Sequence, residues 1–254
     1  MGTTKEAPSF QFPVSSGFGL LSSPFRLAKG WGTWALRSGR GKQSHRQRGL
    51  WVVLLGPDGA GKSAVIAGIG DGVAAGFAGS AAYHLRPALT GEKRLAKANG
   101  NPHGQRPRGM LVTLGKLAYL LVANWLGYLT RVRPRVRRGA LVVFDRYFPD
   151  GLVDPQRYRL PRSSGWMVRL MEKLVPRPDL YVVLDAPATV LRERKQEVTF
   201  FEVDRQCREY RRLAERLPNA VTVDASQSLD RVVYEVLECS IERHLVRHRA
   251  FNEA

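Results

Sequence analysis

Cysteine is scarce. The 254 residues hold only Cys207 and Cys239, with no C-x-x-C pair. This excludes a disulfide scaffold or a thiolate zinc site, and a reducing compartment such as the cytoplasm is expected. Histidine is nearly as rare, at five. His244 and His248 stand four apart, a spacing that shares a helix face, but no third ligand accompanies them and they read as exposed helix residues. Acids are outnumbered, 22 Asp and Glu against 40 Lys and Arg, for a net charge of +18. That excess attracts phosphates, nucleic acid or anionic lipid without distinguishing them, and a merely solvated basic surface fits it equally. No uninterrupted apolar run is of bilayer length. The longest, Leu114 to Leu129, is broken by Lys116 and Asn124 and reads as a buried core helix. The compact apolar core of a secretory signal is also missing near the N-terminus.

What is present divides at about residue 50. Residues 1–50 carry eight Lys and Arg and one acid, Glu6, so they supply +7 of the charge and leave +11 on the remainder. Residues 1–49 read as a basic extension, disordered or partly helical, with something of the look of a transit peptide. Phe25, Leu27, Trp31, Trp34 and Leu36 outline a short surface-seeking helix that Gly30 and Gly32 weaken. Residues 50–254 read as the folded domain. Trp51–Leu55, Ala81–Leu85, Ala140–Phe144, Leu180–Leu184 and Ala220–Val223 are short apolar runs of the kind buried on both faces of a parallel sheet. Helical stretches lie between them: Lys62 toward Phe77, weakened in its second half by glycines, then Met110–Thr130, Ser163–Leu174, a helix–break–helix over 188–217, and Ser228–Val246. The alternation predicts an α/β fold of P-loop NTPase type: three layers, a central parallel sheet and helices on both faces. Residues 88–109, rich in Gly, Pro, Asn, Lys and Arg, read as a loop or insertion.

Two strand ends carry chemistry. Gly56-Pro57-Asp58-Gly59-Ala60-Gly61-Lys62-Ser63 satisfies G-x-x-x-x-G-K-[ST] between an apolar strand and a helix. Glycines let successive N–H groups turn toward an anion, and the helix N-terminus adds unpaired donors. Lys62 would reach the β- and γ-phosphates of ATP, and the Ser63 hydroxyl would ligate Mg2+. The apolar strand at Val142-Val143-Phe144 ends in Asp145, at the edge where open α/β sheets bind ligands, so Asp145 is a second metal candidate. Arg146 follows, suited to clamping a phosphate through two nitrogens.

Together these residues resemble the thymidylate kinase family over most of residues 50–247. The loop is similar to that family's G-x-D-G-x-G-K-[ST], and Asp145-Arg146-Tyr147 to its DRY. Arg133-Pro134 with Gly139, Pro178-Asp179-Leu180 through Asp185, Phe200 or Phe201 with Tyr210 and Leu213-Ala214, and Asp224-Ala225-Ser226 follow its order. The resemblance implies an ATP- and Mg2+-dependent kinase. In it Lys62 and the loop backbone hold the donor phosphates, Asp58 faces the acceptor, Arg146 binds the acceptor phosphate, and Arg192, Arg194 or Lys195 supply lid cations. A solvated helix face, with Glu193 and Glu197 interspersed, is the other reading of those lid residues. A homodimer is implied by family analogy.

The departures cluster on the acceptor side. His84-Leu85-Arg86-Pro87-Ala88-Leu89-Thr90 stands where the family has a sequence near REPGGT, leaving Arg86 as a candidate phosphate contact. Asn124 is followed by Trp125 where the family has a base-reading arginine. Trp125 would either stack on the acceptor or fill core. Three readings therefore stay open. One is a nucleoside-monophosphate kinase with dTMP as the family default. The second is a kinase of a glycan, lipid-linked sugar or polyphosphate. The third is a non-catalytic nucleotide-binding module that docks on nucleic acid or anionic membrane.

Overall fold

A computed structural model describes residues 48–72, 77–85, 109–196 and 199–252. The basic extension and nearly all of the 88–109 insertion lie outside the described residues.

Five strands form one sheet in the order β2-β3-β1-β4-β5: β1 (Leu50–Leu55), β2 (Ser80–His84), β3 (Leu141–Asp145), β4 (Leu180–Asp185) and β5 (Ala220–Asp224). All four pairings are parallel. The apolar runs are continuous because both faces are covered, and the side-chain period of two sorts them. Leu50, Val52, Leu54, Val143, Val182 and Leu184 point to one face. There they meet Val65 and Ile69 of α1 (Lys62–Gly72), Leu191 of α6 (Ala188–Arg194), and Val232 and Val236 of α8 (Leu229–Asn252). Trp51, Val53, Val142, Phe144 and Val183 point to the other. They pack on Leu117 of α2 (Met110–Gly127), Val136 of α3 (Arg133–Arg137), Met167 and Val168 of α5 (Gly165–Leu174), and Tyr210 and Leu213 of α7 (Phe200–Arg216). The short α4 (Asp150–Val153) follows β3. This is the expected three-layer arrangement.

The glycine-rich α1 forms because α8 lies against it. A Cβ on Gly68 would come within 2.7 Å of Val233 Cγ2. The helix cost of that glycine is offset by close packing of its neighbour.

Two expectations need correction. The long apolar helix is not a buried core helix. Only Thr113, Leu117, Ala123, Asn124 and Gly127 of α2 are buried, while Leu111 is 84% exposed. A helix apolar on every side meets this sheet with one stripe only, and nothing else among the described residues covers the rest. It also runs further than predicted. A π turn over Tyr128–Val132 carries it into α3, so the arginine-rich segment is helical. The wider turn comes just before Pro134, where the α-helical ladder lacks an N–H. His244 is not an exposed helix residue either. It is buried, its ring 5.1 Å from that of Phe77. The side chain of His248 lies outside the described residues.

Candidate active site

The register of the sheet builds the site. Leu54 of β1 pairs with Asp145 of β3, and Asp145 with His84 of β2, so three strands end together at one edge. The phosphate-binding loop leaves β1 at that edge. Gly56, Gly59 and Gly61 have positive φ. At Gly59 (φ 87°) a Cβ would also stand 2.7 Å from the Leu191 carbonyl oxygen, so the loop is seated against α6 by a contact that only glycine permits. The first turn of α1 holds no acid, which leaves its N-terminal potential available to an anion. Ser63 is exposed at that turn.

Lys62 is buried and folds back over the loop, its Nζ donating to the carbonyls of Gly56 and Pro57 at 2.7 Å each. Burial lowers the ammonium to about 7, with Arg146 acting the same way and Asp145, Asp58 and Asp150 opposing. Asp145 accepts a hydrogen bond from, or pairs with, His84 Nδ1 at 3.1 Å through Oδ2. Burial raises its carboxyl, but His84, Lys62 and Arg146 outweigh that and hold it low. The other oxygen, Asp145 Oδ1, is buried with no hydrogen-bond partner among the described residues. An ionised carboxylate with one committed and one uncommitted oxygen, at the strand edge beside the loop, suits a divalent cation. No group of three or more His, Cys, Asp or Glu side chains able to hold a metal by themselves occurs among the described residues.

Arg146 is the hub on the other side. Its φ of 70° is unusual for a non-glycine residue, and its N–H bonds Leu54 O at 3.0 Å, tying the strained residue to β1. Nη1 donates to both oxygens of Asp150, at 3.1 and 2.9 Å, and Nη2 to Asp58 Oδ1 at 2.5 Å. Asp150 is fully buried and also accepts the hydroxyls of Tyr158 (2.6 Å) and Tyr210. Asp58 is further bonded by Arg157, whose Nε also donates to Asp154 Oδ2 at 3.0 Å. Burial pushes the Asp58 carboxyl up, but Arg146, Arg157 and Lys62 together pull it well below the usual range. Burial likewise raises Asp150, and Arg146 with the two tyrosines lowers it further than burial lifts it.

The structure therefore brings together Lys62, Asp58, Asp145 and Arg146, all expected from the sequence. Arg194, expected in a lid, donates to the carbonyls of Ala225 (2.7 Å) and Ser226 (3.5 Å), which ties α6 to the turn after β5. Arg192 is half-buried on the same helix. Lys195 is near enough for its charge to lower Asp58. Arg86 lies outside the described residues. Trp125 is not brought to the site, nor does it fill core. It is 42% exposed, and its Nε1 donates to Leu174 O of α5 at 2.8 Å. Adjacent helix positions differ by about 100°, so Asn124 turns inward in its place, its amide donating to Leu120 O at 2.8 Å. Asn124, Lys116, Leu120, Tyr147 and Tyr158 are among the residues around a narrow cleft of about 20 Å³ on this side. Asp150, Asp154, Arg157, Tyr158, Tyr210 and His84 were not foreseen as site residues. The stretch Asp150 to Tyr158, with two acids, an arginine and a tyrosine directly after Asp145-Arg146, was the available signal.

No family model matches the sequence. Among curated proteins, the thymidylate kinase of Xylella fastidiosa (strain 9a5c) is 31% identical over 123 residues, which is 45% of this chain and 56% of the relative. The chain thus matches about half the length of that curated relative. Among solved structures, thymidylate kinase from Candida albicans superposes with a TM-score of 0.57 at 15% identity, covering 78% of this chain and 94% of the other.

The fold is that of the thymidylate kinases.

Thymidylate kinase from Ehrlichia chaffeensis is a further structural neighbour, at 16% identity and a TM-score of 0.49 over 75% of this chain and 97% of the other. The loop Gly56–Ser63 and Asp145-Arg146-Tyr147 stand at strand ends, where the apolar runs of the sequence predicted them.

Proposed function

We propose that the chain is a thymidylate kinase-like phosphotransferase that uses ATP and Mg2+ and passes the γ-phosphoryl group to a small phosphate-bearing acceptor. The observation that carries this reading is Arg146. It is buried beside Lys62, aimed by Asp150 from behind and by Asp58 from the loop, and this is more apparatus than nucleotide binding alone requires. The loop amides and Lys62 hold the donor phosphates, with Lys62 exchanging its two carbonyl contacts for phosphate oxygens. Ser63 and Asp145 hold the metal, which when bound neutralises phosphate charge. Arg146 binds the acceptor phosphate and Asp58 positions it. A phosphate acceptor is already an oxyanion and needs no strong base, so the protein's task is alignment, charge stabilisation and exclusion of water. A nucleoside monophosphate, dTMP by family default, is the first acceptor to test.

A second acceptor class is favoured by one feature. The inward residue of α2 is Asn124, whose Nδ2 donates to its own helix, and the cleft there is narrow. A non-nucleotide acceptor such as a sugar phosphate makes less demand on that cleft.

The experiment is incubation with Mg2+, γ-labelled ATP and single acceptors: the nucleoside monophosphates, short polyphosphate and sugar phosphates, with Lys62→Ala as control. Lys62-dependent labelling of dTMP or another monophosphate supports the kinase reading. Labelling of a sugar phosphate alone selects the second class. ATP binding with no acceptor labelled refutes both.

A further inference from the structure

His84 ends β2 beside the carboxylate that ends β3. The register pairs the two residues directly, and the ring reaches across, its Nδ1 3.1 Å from Asp145 Oδ2. Asp145 is held ionised and can only accept, so the proton of this bond sits on Nδ1 of His84. The next residue fixes the pair in place. Leu85 has a φ of 58°, unusual for a bulky side chain, and its N–H donates to Asp145 O at 2.9 Å. β2 is thus fastened to the main chain of Asp145 at the step where His84 reaches its side chain.

The ring does little for the fold. The His84 side chain is 48% exposed and belongs to neither core cluster. An exposed pair of this kind is worth about 0–1 kcal/mol, and the strand is already held by its ladder and by Leu85. What the bond does decide is the state of the carboxylate. With Oδ2 taken by the ring, the plane of the carboxylate is set. Only Oδ1 is left to give, and it is buried without a hydrogen bond among the described residues.

We infer that His84 is a positioning residue: it holds Asp145 as a ligand with one oxygen to offer, and so biases the site toward Mg2+ over Ca2+. Mg2+ is small, strict in its geometry and takes few protein oxygens beside substrate phosphates, whereas Ca2+ takes more oxygens and readily accepts both from one carboxylate. Without the ring, Asp145 is free to turn and to offer both oxygens. Mg2+ then loses a prepared ligand, and Ca2+ loses nothing. A hydrogen-bonded partner behind a metal ligand is commonly worth about 10–100-fold in metal affinity. This role rests on the proposed assignment of the metal to Asp145. His84 acts through that carboxylate and touches neither substrate nor metal.

The test is calorimetric titration of ATP into the full chain at one pH, over a range of free Mg2+ and separately of free Ca2+, for the parent, His84→Leu and His84→Asn. Leucine removes the donor. Asparagine carries an amide N–H one bond beyond Cγ, where the ring carries Nδ1. In the parent, Mg2+ should support ATP binding at lower concentration than Ca2+. His84→Leu should raise the half-saturating Mg2+ by about 10–100-fold while that of Ca2+ stays or falls, so the preference for Mg2+ shrinks by at least about tenfold. Tm and ATP affinity without metal should stay near the parent's, and His84→Asn should restore most of the preference. A parent that needs Mg2+ and a His84→Leu variant that needs no more of it would overturn the inference and leave the metal assignment standing. Equal losses for Mg2+ and Ca2+, or a fall in Tm that asparagine does not repair, would mark His84 as structural and overturn it too. A parent whose ATP affinity ignores both metals overturns the assignment of Asp145 along with it, and a parent that binds no ATP overturns the kinase reading as well.

Discussion

Replacing Asp150 with Asn is the sharpest probe of how the site is held. Asp150 is completely buried and supports four hydrogen bonds: two from Arg146 and one each from the hydroxyls of Tyr158 and Tyr210. Asparagine keeps the shape but removes the charge and turns one acceptor into a donor. Arg146 would retain Asp58 as a partner, so the loss belongs at the lower end of the range for breaking a buried ion pair, about 3 kcal/mol. A hydroxyl that loses its acceptor adds about 1 kcal/mol. The expected destabilisation of about 3–4 kcal/mol is a large share of an ordinary domain's stability of about 5–15 kcal/mol. It corresponds to a drop in Tm of about 6–16 °C for a chain of this size. Urea unfolding at neutral pH measures it. The acid limb supplies a second check. The folded Asp150 carboxyl is held low, so its stabilisation is present above the unfolded carboxyl value of about 3.9 and is lost as pH falls through the folded value. Asp150→Asn should therefore lose stability at neutral pH while its difference from the parent narrows toward strong acid. Arg146→Leu combined with Asp150→Leu should cost less than the two single changes added together, because neither member of the pair is then left charged without the other. A loss below about 1 kcal/mol, or strict additivity of the two single changes in the double variant, would refute the view that Asp150 anchors Arg146.

Lys62→Ala should leave the fold intact and lower phosphoryl transfer by about 10²–10³-fold, as for loss of one charge-stabilising group at a reacting centre; steady-state kinetics at saturating ATP would test it. Gly59→Ala should cost about 1–3 kcal/mol, because alanine at φ 87° is strained and its Cβ would collide with the Leu191 carbonyl. Urea unfolding reads that cost, and unchanged stability would mean that α6 is not seated against the loop. ATP binding should take up a proton at about pH 8 and little at about pH 6: Lys62 sits near 7 in the free protein, and phosphates beside it raise that value. Calorimetry in buffers of different ionisation enthalpy measures the uptake, which Lys62→Met should abolish. Proton release instead would contradict the assignment of Lys62 to the phosphates.

The loop half of the candidate site was legible because its pattern is local in sequence. A loop that turns consecutive amides toward phosphate needs its glycines, lysine and hydroxyl within eight residues, and the parallel sheet needs strands buried on both faces. Both leave contiguous signatures, Gly56–Ser63 and Leu141–Asp145. The acceptor half is written otherwise. Asp58 meets Arg157 across 99 positions and Asp150 meets Tyr210 across 60, so each residue alone reads as a solvated charge or a core aromatic. Trp125 shows the limit of periodicity. The family resemblance singled out this stretch, but one position decides which residue faces inward, and on a helix apolar on all sides the pattern does not say which. Exposure of α2 was hidden for the same reason: an apolar helix reads as core until its neighbours are known.

The same network constrains how a nucleotide can enter. Lys62, Arg146 and Arg157 are set against Asp58, Asp145, Asp150 and Asp154, three cations against four carboxylates, all buried or nearly so. Phosphates brought into such a group meet two arginines that are already paired and a lysine held by carbonyls, so their charge adds to a balance that is slightly negative from the start. Two changes make entry favourable. Lys62 can exchange its two carbonyl contacts for phosphate oxygens, which make stronger charge-assisted hydrogen bonds. A divalent cation can engage Asp145, whose Oδ1 has no hydrogen bond to give up. ATP affinity should therefore depend steeply on Mg2+, falling by at least about tenfold when the metal is chelated, equivalent to about 1.4 kcal/mol. Asp145→Asn should weaken ATP in the presence of Mg2+ yet bind it as well as or better than the parent in its absence, since one repelling carboxylate is gone. Equal ATP affinity with and without Mg2+ in the parent protein would show that the carboxylates do not oppose the phosphates and that Asp145 serves the fold rather than the metal.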